Sequence, residues 1–108
     1  MSQDYLGEFE QMVLLTAMRL GEDAYGLAIK DELEAVAGRS PSSGALSTTL
    51  DRLERKGLLT SAAGAPSTER GGRPRRYVRL TPAGQAALAH SRSTLLSLWD
   101  GLEAALDR

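Results

Sequence analysis

The spacing of apolar residues predicts two helices in the first third of the chain. Apolar side chains recur every three or four positions in residues 9–20 and again in residues 25–36, which is the period of one helix face. Gly21 follows the first stripe and Gly38 follows the second. Glycine commonly caps a helix C-terminus because it adopts positive φ without strain. Tyr25 opens the second stripe, and we expect its side chain in the core.

A third helix is predicted over about 44–56. Its apolar face consists of Leu46, Leu50 and Leu53. Serine caps helix N-termini by accepting a hydrogen bond from a free backbone N–H, so a serine of the preceding turn is expected to start this helix. Gly57 ends it.

After the third helix the pattern predicts a β-hairpin and then a long helix. Residues 58–61 and 77–80 are short and extended in character, and a turn-rich, charged loop over about 64–76 joins them. Thr81 and Pro82 then place a capping hydroxyl and a first-turn proline at the start of the final helix. Three helices, a hairpin and a helix form the order of a winged helix-turn-helix, a mainly α fold with a small β-hairpin wing.

Length and composition limit the fold to one small domain with an extension. The chain has 108 residues, of which 42% are apolar and none is cysteine, so disulfides and cysteine zinc sites are excluded. We assign residues 1–80 to the winged helix-turn-helix domain and residues 81–108 to a C-terminal dimerisation helix. Apolar runs are too short to span a bilayer and no signal peptide precedes the first helix. The sequence predicts a cytoplasmic protein without a membrane partner.

Charge is divided unevenly along the chain, although the formal net charge is only −1. Residues 1–38 carry two basic and eight acidic side chains, a net charge of −6. Residues 39–80 carry nine basic and three acidic side chains, a net charge of +6. A phosphate backbone responds to charges within about 10 Å at physiological salt, not to the total of the molecule. The central segment is therefore the candidate surface for nucleic acid.

The third helix has a polar side that suits the major groove of duplex DNA. Opposite the leucines lie Gly44, Thr48, Asp51 and Arg55, with Ser47 and Arg52 at the edges. Small residues permit close approach, hydroxyls bind phosphates or base edges, and arginine binds phosphate or guanine. The alternative is an ordinary amphipathic helix with a solvated face. Asp51 and Glu54 are expected to pair with Arg55 or Lys56.

Four arginines in seven residues mark the hairpin loop. They are Arg70, Arg73, Arg75 and Arg76, with glycines between them. Arginine at a flexible tip suits phosphate contact or a narrow minor groove, whereas the alternative is a loop that only aids solubility. The predicted DNA contacts are Ser42, Ser43, Gly44, Ser47, Thr48, Arg52, Arg55, Arg73, Arg75 and Arg76.

Four blocks of the sequence resemble the PadR family of bacterial transcriptional regulators. The blocks are LGEFE at 6–10, GEDAYG at 21–26, GALSTTLDRLERKGLL at 44–59 and ERGGRPRRYVRLT at 69–81. The resemblance implies a third helix in the major groove, a hairpin near the minor groove, a dimerising C-terminal helix and repression relieved by a small molecule or a stress signal. The family commonly has a tyrosine where this chain has Ser47, and serine lacks its reach and stacking area.

The final helix carries an apolar seam that needs a partner surface. Its members are spaced by seven, four, three and four positions: Leu88, Leu95, Trp99, Leu102 and Leu106. A second copy of the chain would cover such a seam, and a two-fold dimer would bind an inverted-repeat operator of double-stranded DNA. In the alternative, the helix folds back on its own domain.

Trp99 is a candidate ligand position on the final helix, whereas His90 is not. Some PadR relatives place a tryptophan of this helix against a flat aromatic ligand, so Trp99 is a candidate site for a small aromatic effector, with simple packing as the alternative. His90 has no Cys or carboxylate at metal-ligand spacing.

No enzymatic chemistry is predicted. The sequence shows no catalytic residue set, metal cluster or cofactor motif. The function predicted is a dimeric repressor, and the alternative is a winged-helix module that binds proteins and no longer binds DNA.

Overall fold

The protein consists of five α-helices and one hairpin in the part that the computed structural model describes, which is residues 6–66, 71 and 74–106. The elements follow in this order: α1 (Glu8–Leu20), a 3₁₀ turn (Gly21–Asp23), α2 (Gly26–Ala37), α3 (Ser43–Arg55), β1 (Leu59–Pro66), β2 (Pro74–Leu80), α4 (Pro82–Trp99) and α5 (Glu103–Leu106). None of the described helices is both long and apolar enough to cross a membrane.

The helix boundaries follow the capping signals of the sequence. The Ser42 hydroxyl accepts a hydrogen bond of 3.0 Å from the Ala45 N–H at the start of α3. The Thr81 hydroxyl accepts one of 3.0 Å from the Gly84 N–H, and Pro82 is the first residue of α4. Gly38 ends α2 with φ of +67°, the left-handed region in which glycine is unstrained. These three predicted boundaries are confirmed.

The core joins the helices to the base of the hairpin. Its fully buried side chains include Val13 and Leu14 of α1, Ile29 and Leu33 of α2, and Leu53 of α3. All five residues lie within the apolar stretches from which the helices were predicted. Strands β1 and β2 and helix α4 each add one or two buried residues to the core. Burial of apolar surface at about 25 cal/mol per Å² is the main force that holds this arrangement.

Val36 and Tyr25, both in the apolar stripe predicted for α2, do not lie in the core. Val36 is 60% exposed at the edge of a surface cavity that it lines with Leu15 and Thr16 of α1. Tyr25 is half-buried at the N-cap of α2, where its ring meets the ring of Tyr77 edge-on with centroids 5.4 Å apart. The core assignment of Tyr25 is therefore wrong, since the ring packs against β2 at the surface.

The hairpin strands are longer than the sequence predicts. They pair antiparallel from Leu59 opposite Leu80 to Pro66 opposite Pro74, with an irregularity between Ala63 and Pro66. Gly64 belongs to β1 and not to the loop. A Cβ at this position would lie 2.5 Å from the Tyr77 ring. The glycine that indicated a turn instead provides room for an aromatic side chain on the neighbouring strand.

The final helix is interrupted, so the prediction of one continuous helix is wrong. Helix α4 ends at Trp99, and Gly101 adopts φ of +82° before the short α5 begins. Leu102 lies in this turn and Leu106 on α5, so they do not extend the seam of α4. Leu88 is buried in the domain's own core, and its part in a dimer contact stays a prediction.

The start of α4 is fixed to the domain by close backbone contacts. A Cβ at Gly84 would overlap the carbonyl oxygen of Leu58, and the Thr81 hydroxyl donates a 2.6 Å hydrogen bond to the carbonyl of Gly57. The first half of α4 therefore packs against its own domain, as the fold-back alternative predicted. The second half extends away from it.

Candidate nucleic-acid interface

Helix α3 buries its leucine face and exposes the side predicted to meet DNA. Leu46, Leu50 and Leu53 are all buried, and Thr49 is buried beside them. The exposed side consists of Ser43, Gly44, Ser47, Thr48, Asp51, Arg52 and Arg55. The predicted orientation of the helix is therefore confirmed, while the individual DNA contacts stay predictions.

A surface cavity of about 320 Å³ separates α3 from the start of α2 and from β2. Its lining combines hydroxyl, cationic, aromatic and aliphatic side chains: Tyr25, Gly26, Leu27, Lys30, Ser43, Leu46, Ser47, Leu50, Arg75 and Arg76. Four predicted DNA contacts, Ser43, Ser47, Arg75 and Arg76, thus share one concave surface with Tyr25 and Lys30. The sequence analysis did not select these two residues, although each lies where the second helix begins.

Arg75 is held against the start of α2 by an aromatic ring. Its guanidinium carbon lies 4.2 Å from the centroid of the Tyr25 ring, within the range of a cation–π interaction. The Val78 N–H donates a 2.9 Å hydrogen bond to the Ala24 carbonyl, which fixes β2 beside the same turn. Tyr25 and Ala24 therefore position the base of the wing.

Arg76 links the wing to α3 through a group of residues that we call the Arg76 network: Arg76, Asp51, Glu54 and Ser61. Its Nη1 lies 2.9 Å from Asp51 Oδ1, and its Nη2 lies 2.8 Å from Glu54 Oε1. The Arg76 Nε–H donates to the Ser61 hydroxyl at 3.0 Å, and Ser61 donates to Glu54. The Ser61 hydrogen bond, followed by Arg76, holds the pKa of the Glu54 carboxyl below its usual value.

The predicted partners of Asp51 and Glu54 are therefore wrong. Both carboxylates pair with Arg76 of the wing, not with Arg55 or Lys56 of their own helix. Lys56 is instead directed toward α1.

A second ion-pair group joins the end of α3 to the start of α1. The buried Glu10 carboxylate accepts hydrogen bonds from Lys56 Nζ at 3.0 and 3.3 Å and from the Gly7 N–H at 2.9 Å. Arg52 Nη1 lies 3.7 Å from it. Burial alone would raise the pKa of Glu10, but the Gly7 N–H, Lys56 and Arg52 outweigh burial and lower that pKa. The sequence signal for this pair was a carboxylate, Glu10, within the first apolar stripe.

The predicted DNA contact Arg73 lies in a part of the wing that the structure does not describe. Arg73 and Arg70 lie outside the described residues, so the tip of the wing stays a prediction. In the described ranges, no group of His, Cys, Asp or Glu is arranged to hold a metal ion, and His90 is exposed on α4.

An apolar groove of about 480 Å³ runs between α1 and the second half of α4. Its lining is Gln11, Leu15, Met18, Gln85, Leu88, Ala89, Arg92, Leu95, Leu96 and Trp99. Leu15, Met18, Leu95 and Leu96 are each about half exposed, and Trp99 is 39% exposed. The structure therefore brings Leu95 and Trp99 of the predicted seam together with α1.

Comparison with known proteins gave consistent matches. The model of the transcriptional regulator PadR-like family matches residues 14–90. A PadR family regulator from Eggerthella lenta is 31% identical, with 92% of this chain and 86% of that chain covered and a TM-score of 0.68. A PadR-like transcription factor from Bacteroides fragilis is 26% identical, with 90% and 88% covered and a TM-score of 0.72.

The chain in a complex structure of hsRosR-S4 is 31% identical in sequence to this one, with 95% of this chain and 82% of that chain covered and a TM-score of 0.65. A search of curated protein sequences gave no match. The family match covers the second half of α1, all of α2 and α3, the hairpin and the first half of α4. A transcriptional regulator is not an enzyme. The chain therefore belongs to the PadR-like family of transcriptional regulators.

Proposed function

We propose that this protein is a dimeric repressor that binds an inverted-repeat operator through α3 and the arginine-rich wing. The observation that carries the proposal is that the exposed side of α3 lies next to the arginines of the wing. The exposed polar side of α3 lies beside Arg75 and Arg76 of β2, and the cavity between them is lined from both elements. A helix in the major groove with a basic hairpin at its side matches the docking of helix-turn-helix proteins on DNA.

The proposed contacts divide into two groups by chemistry. Base edges would be bound from the outward side of α3, by Gly44, Ser47 and Thr48, because small residues permit close approach. Phosphates would be bound by charged or capping residues at the rim of the same surface. These are Ser42, Ser43, Arg52, Arg55 and Arg75. Arg73, which lies outside the described residues, is proposed as a further phosphate contact. The role of Arg76 is argued separately below.

We propose a homodimer that uses the groove between α1 and α4. An exposed apolar surface of this kind favours a partner, and a second copy would cover Leu95, Trp99 and the α1 residues Leu15 and Met18. In a two-fold dimer, the two α3 helices would occupy half-sites about one helical turn of DNA apart. Residues 81–108 would then join the winged domain to the dimer contact.

A small aromatic effector is the proposed signal. Trp99 lies at the rim of the apolar groove, and a flat aromatic ligand would stack on its ring. A ligand bound between two copies would change their relative orientation and hence the distance between the half-sites. The proposed compartment is the cytoplasm, where the operator is located.

The test of the function is a selection of bound fragments from the source genome, with the affinity of the selected fragment measured at two salt concentrations. A regulator that contacts several phosphates should lose roughly 10³-fold or more in affinity between 50 and 200 mM salt, and should still prefer the selected fragment to random DNA. Weak binding without preference at both concentrations would favour a protein-binding module.

The dimer contact is tested by Trp99→Ala. We expect this variant to shift toward monomer in sedimentation equilibrium, because the groove loses its largest apolar side chain. Leu98→Ala is the matched control, since Leu98 is on the same helix and 68% exposed but does not line the groove. Leu98→Ala should stay dimeric, and a Trp99→Ala variant that is equally dimeric would refute this interface.

A further inference from the structure

The guanidinium group of Arg76 has a hydrogen-bond acceptor on each of three sides. Nη1, Nη2 and Nε–H are directed at Asp51, Glu54 and Ser61, at 2.9, 2.8 and 3.0 Å. The side chain of Arg76 is 35% exposed, so the network is at the surface but partly shielded. A planar guanidinium that satisfies acceptors on three sides has a defined orientation, unlike a single ion pair.

The network connects the two elements that the proposed function requires. Asp51 and Glu54 lie on successive turns of α3, and Ser61 lies on β1. Arg76 lies on β2 opposite Ala63 in the sheet register. One side chain thus joins both strands of the wing to α3 and restrains the angle between the hairpin and the helix.

The local charge argues against a direct phosphate contact by Arg76. Two carboxylates, Asp51 and Glu54, surround one guanidinium, so the network carries a formal net charge of −1 at neutral pH. Its charge would repel a phosphate, whereas an arginine that serves as a phosphate contact is expected to present a net positive charge. Asp51 and Glu54 lie on the surface that is proposed to bind DNA, where a carboxylate is unfavourable. Their role as acceptors for Arg76 explains why acidic residues are present there.

We propose that Arg76 is a positioning residue, which fixes the wing relative to α3 so that both elements fit one operator, and that it does not bind phosphate itself. The proposal rests on the proposed function and assigns Arg76 a different role from that predicted by the sequence. Loss of the network would leave general affinity for DNA but reduce the preference for the operator, because the wing and the helix would no longer be held in one relative position.

The decisive variant is Arg76→Lys. Lysine keeps the positive charge and binds phosphate well, but a single ammonium cannot reproduce the planar fork that spans three acceptors. We expect the ratio of operator to random-DNA affinity to fall about tenfold, the scale of one lost base contact, while the salt slope stays unchanged. Without DNA, amide hydrogen exchange in residues 61–63 and 76–78 should become faster. Arg79→Lys is the matched control on the same strand and should change neither measurement.

A second variant separates the two roles by the sign of its effect. Asp51→Ala combined with Glu54→Ala removes both carboxylates, so a phosphate-binding Arg76 would be released. Affinity would then rise for operator and random DNA alike, and operator preference would not fall. A positioning Arg76 would lose its acceptors, and operator preference would fall although repulsion of DNA decreases.

The outcomes distinguish this proposal from the proposed function. Wild-type preference and exchange in Arg76→Lys, or operator preference that does not fall in the double variant, would overturn the role of Arg76 alone. An Arg76→Ala variant whose salt slope flattens by about one phosphate, with the slope restored by lysine, would also overturn it. If the wild type shows no preference for any DNA, the proposed function fails together with the role of Arg76 in operator preference. The exchange measurement then still decides whether Arg76 fixes the wing.

Discussion

Thr48→Glu should reduce affinity for operator DNA by about 100-fold or more at moderate salt. Thr48 is exposed on the side of α3 opposite its buried leucines, so the new carboxylate would meet the DNA directly. A like charge brought against phosphates or base acceptors costs several kcal/mol in affinity. Glutamate is a good helix former, so the fold and the stability of α3 should not change. The measurement is a binding titration by anisotropy at fixed salt.

Two controls separate local repulsion from other effects of the substitution. Thr48→Gln has nearly the same size without the charge and should retain far more affinity than Thr48→Glu. Thr94→Glu makes the same change on an exposed position of α4 and gives the same net charge, yet it should bind nearly as the wild type does. Equal losses for Thr48→Glu and Thr94→Glu would mean that total charge matters and that α3 does not contact DNA.

The parts of the fold that follow local periodicity could be predicted from the sequence. Leu46, Leu50 and Leu53 fall on one side of α3 because their spacing matches the helix period, so the identity of the exposed side follows without tertiary information. The caps Ser42 and Thr81 likewise act within a few residues of their own position. Their signals are local, and the structure confirms the elements they start.

The partners of the charged residues could not be predicted in the same way. Arg76 pairs with residues 25 and 22 positions away in the chain, whereas the sequence analysis considered only neighbours on one helix. Lys56 reaches Glu10 across 46 positions. Such pairs depend on how the wing and α1 pack against α3, and that packing carries no periodic signal. An excess of arginine in a segment therefore indicates a basic surface without indicating which arginines are available to DNA.

The final helix illustrates a different limit of pattern analysis. Leucines continue at helical spacing past residue 99, so periodicity alone predicts one long helix. Gly101 ends that continuity with its positive φ, and the glycine was outweighed by the apolar repeat on either side. Leu88 satisfied the same repeat but packs inside the domain. Spacing identifies which residues share a face, but it does not identify the surface that covers them.

Leu53→Ala should lower the free energy of unfolding by about 3 kcal/mol. Leu53 is completely buried between α3 and the rest of the core, so alanine would leave a cavity in addition to the lost transfer free energy. Small domains are stable by about 5–15 kcal/mol in total, and the melting temperature should fall by roughly 15 °C. The measurements are urea and thermal unfolding followed by circular dichroism, at a fixed protein concentration because a dimer's stability depends on it.

The matched control for Leu53→Ala is the same substitution at Leu27, which is 58% exposed on α2 and should lose less than about 1 kcal/mol. Leu53→Met keeps most of the volume and should also stay within about 1.5 kcal/mol of the wild type. DNA affinity should fall with Leu53→Ala only to the extent that unfolded protein accumulates, since the exposed side of α3 is unchanged. An unfolding free energy close to that of the wild type would mean that Leu53 does not hold α3 against the core, and the orientation of the exposed side would then need another cause.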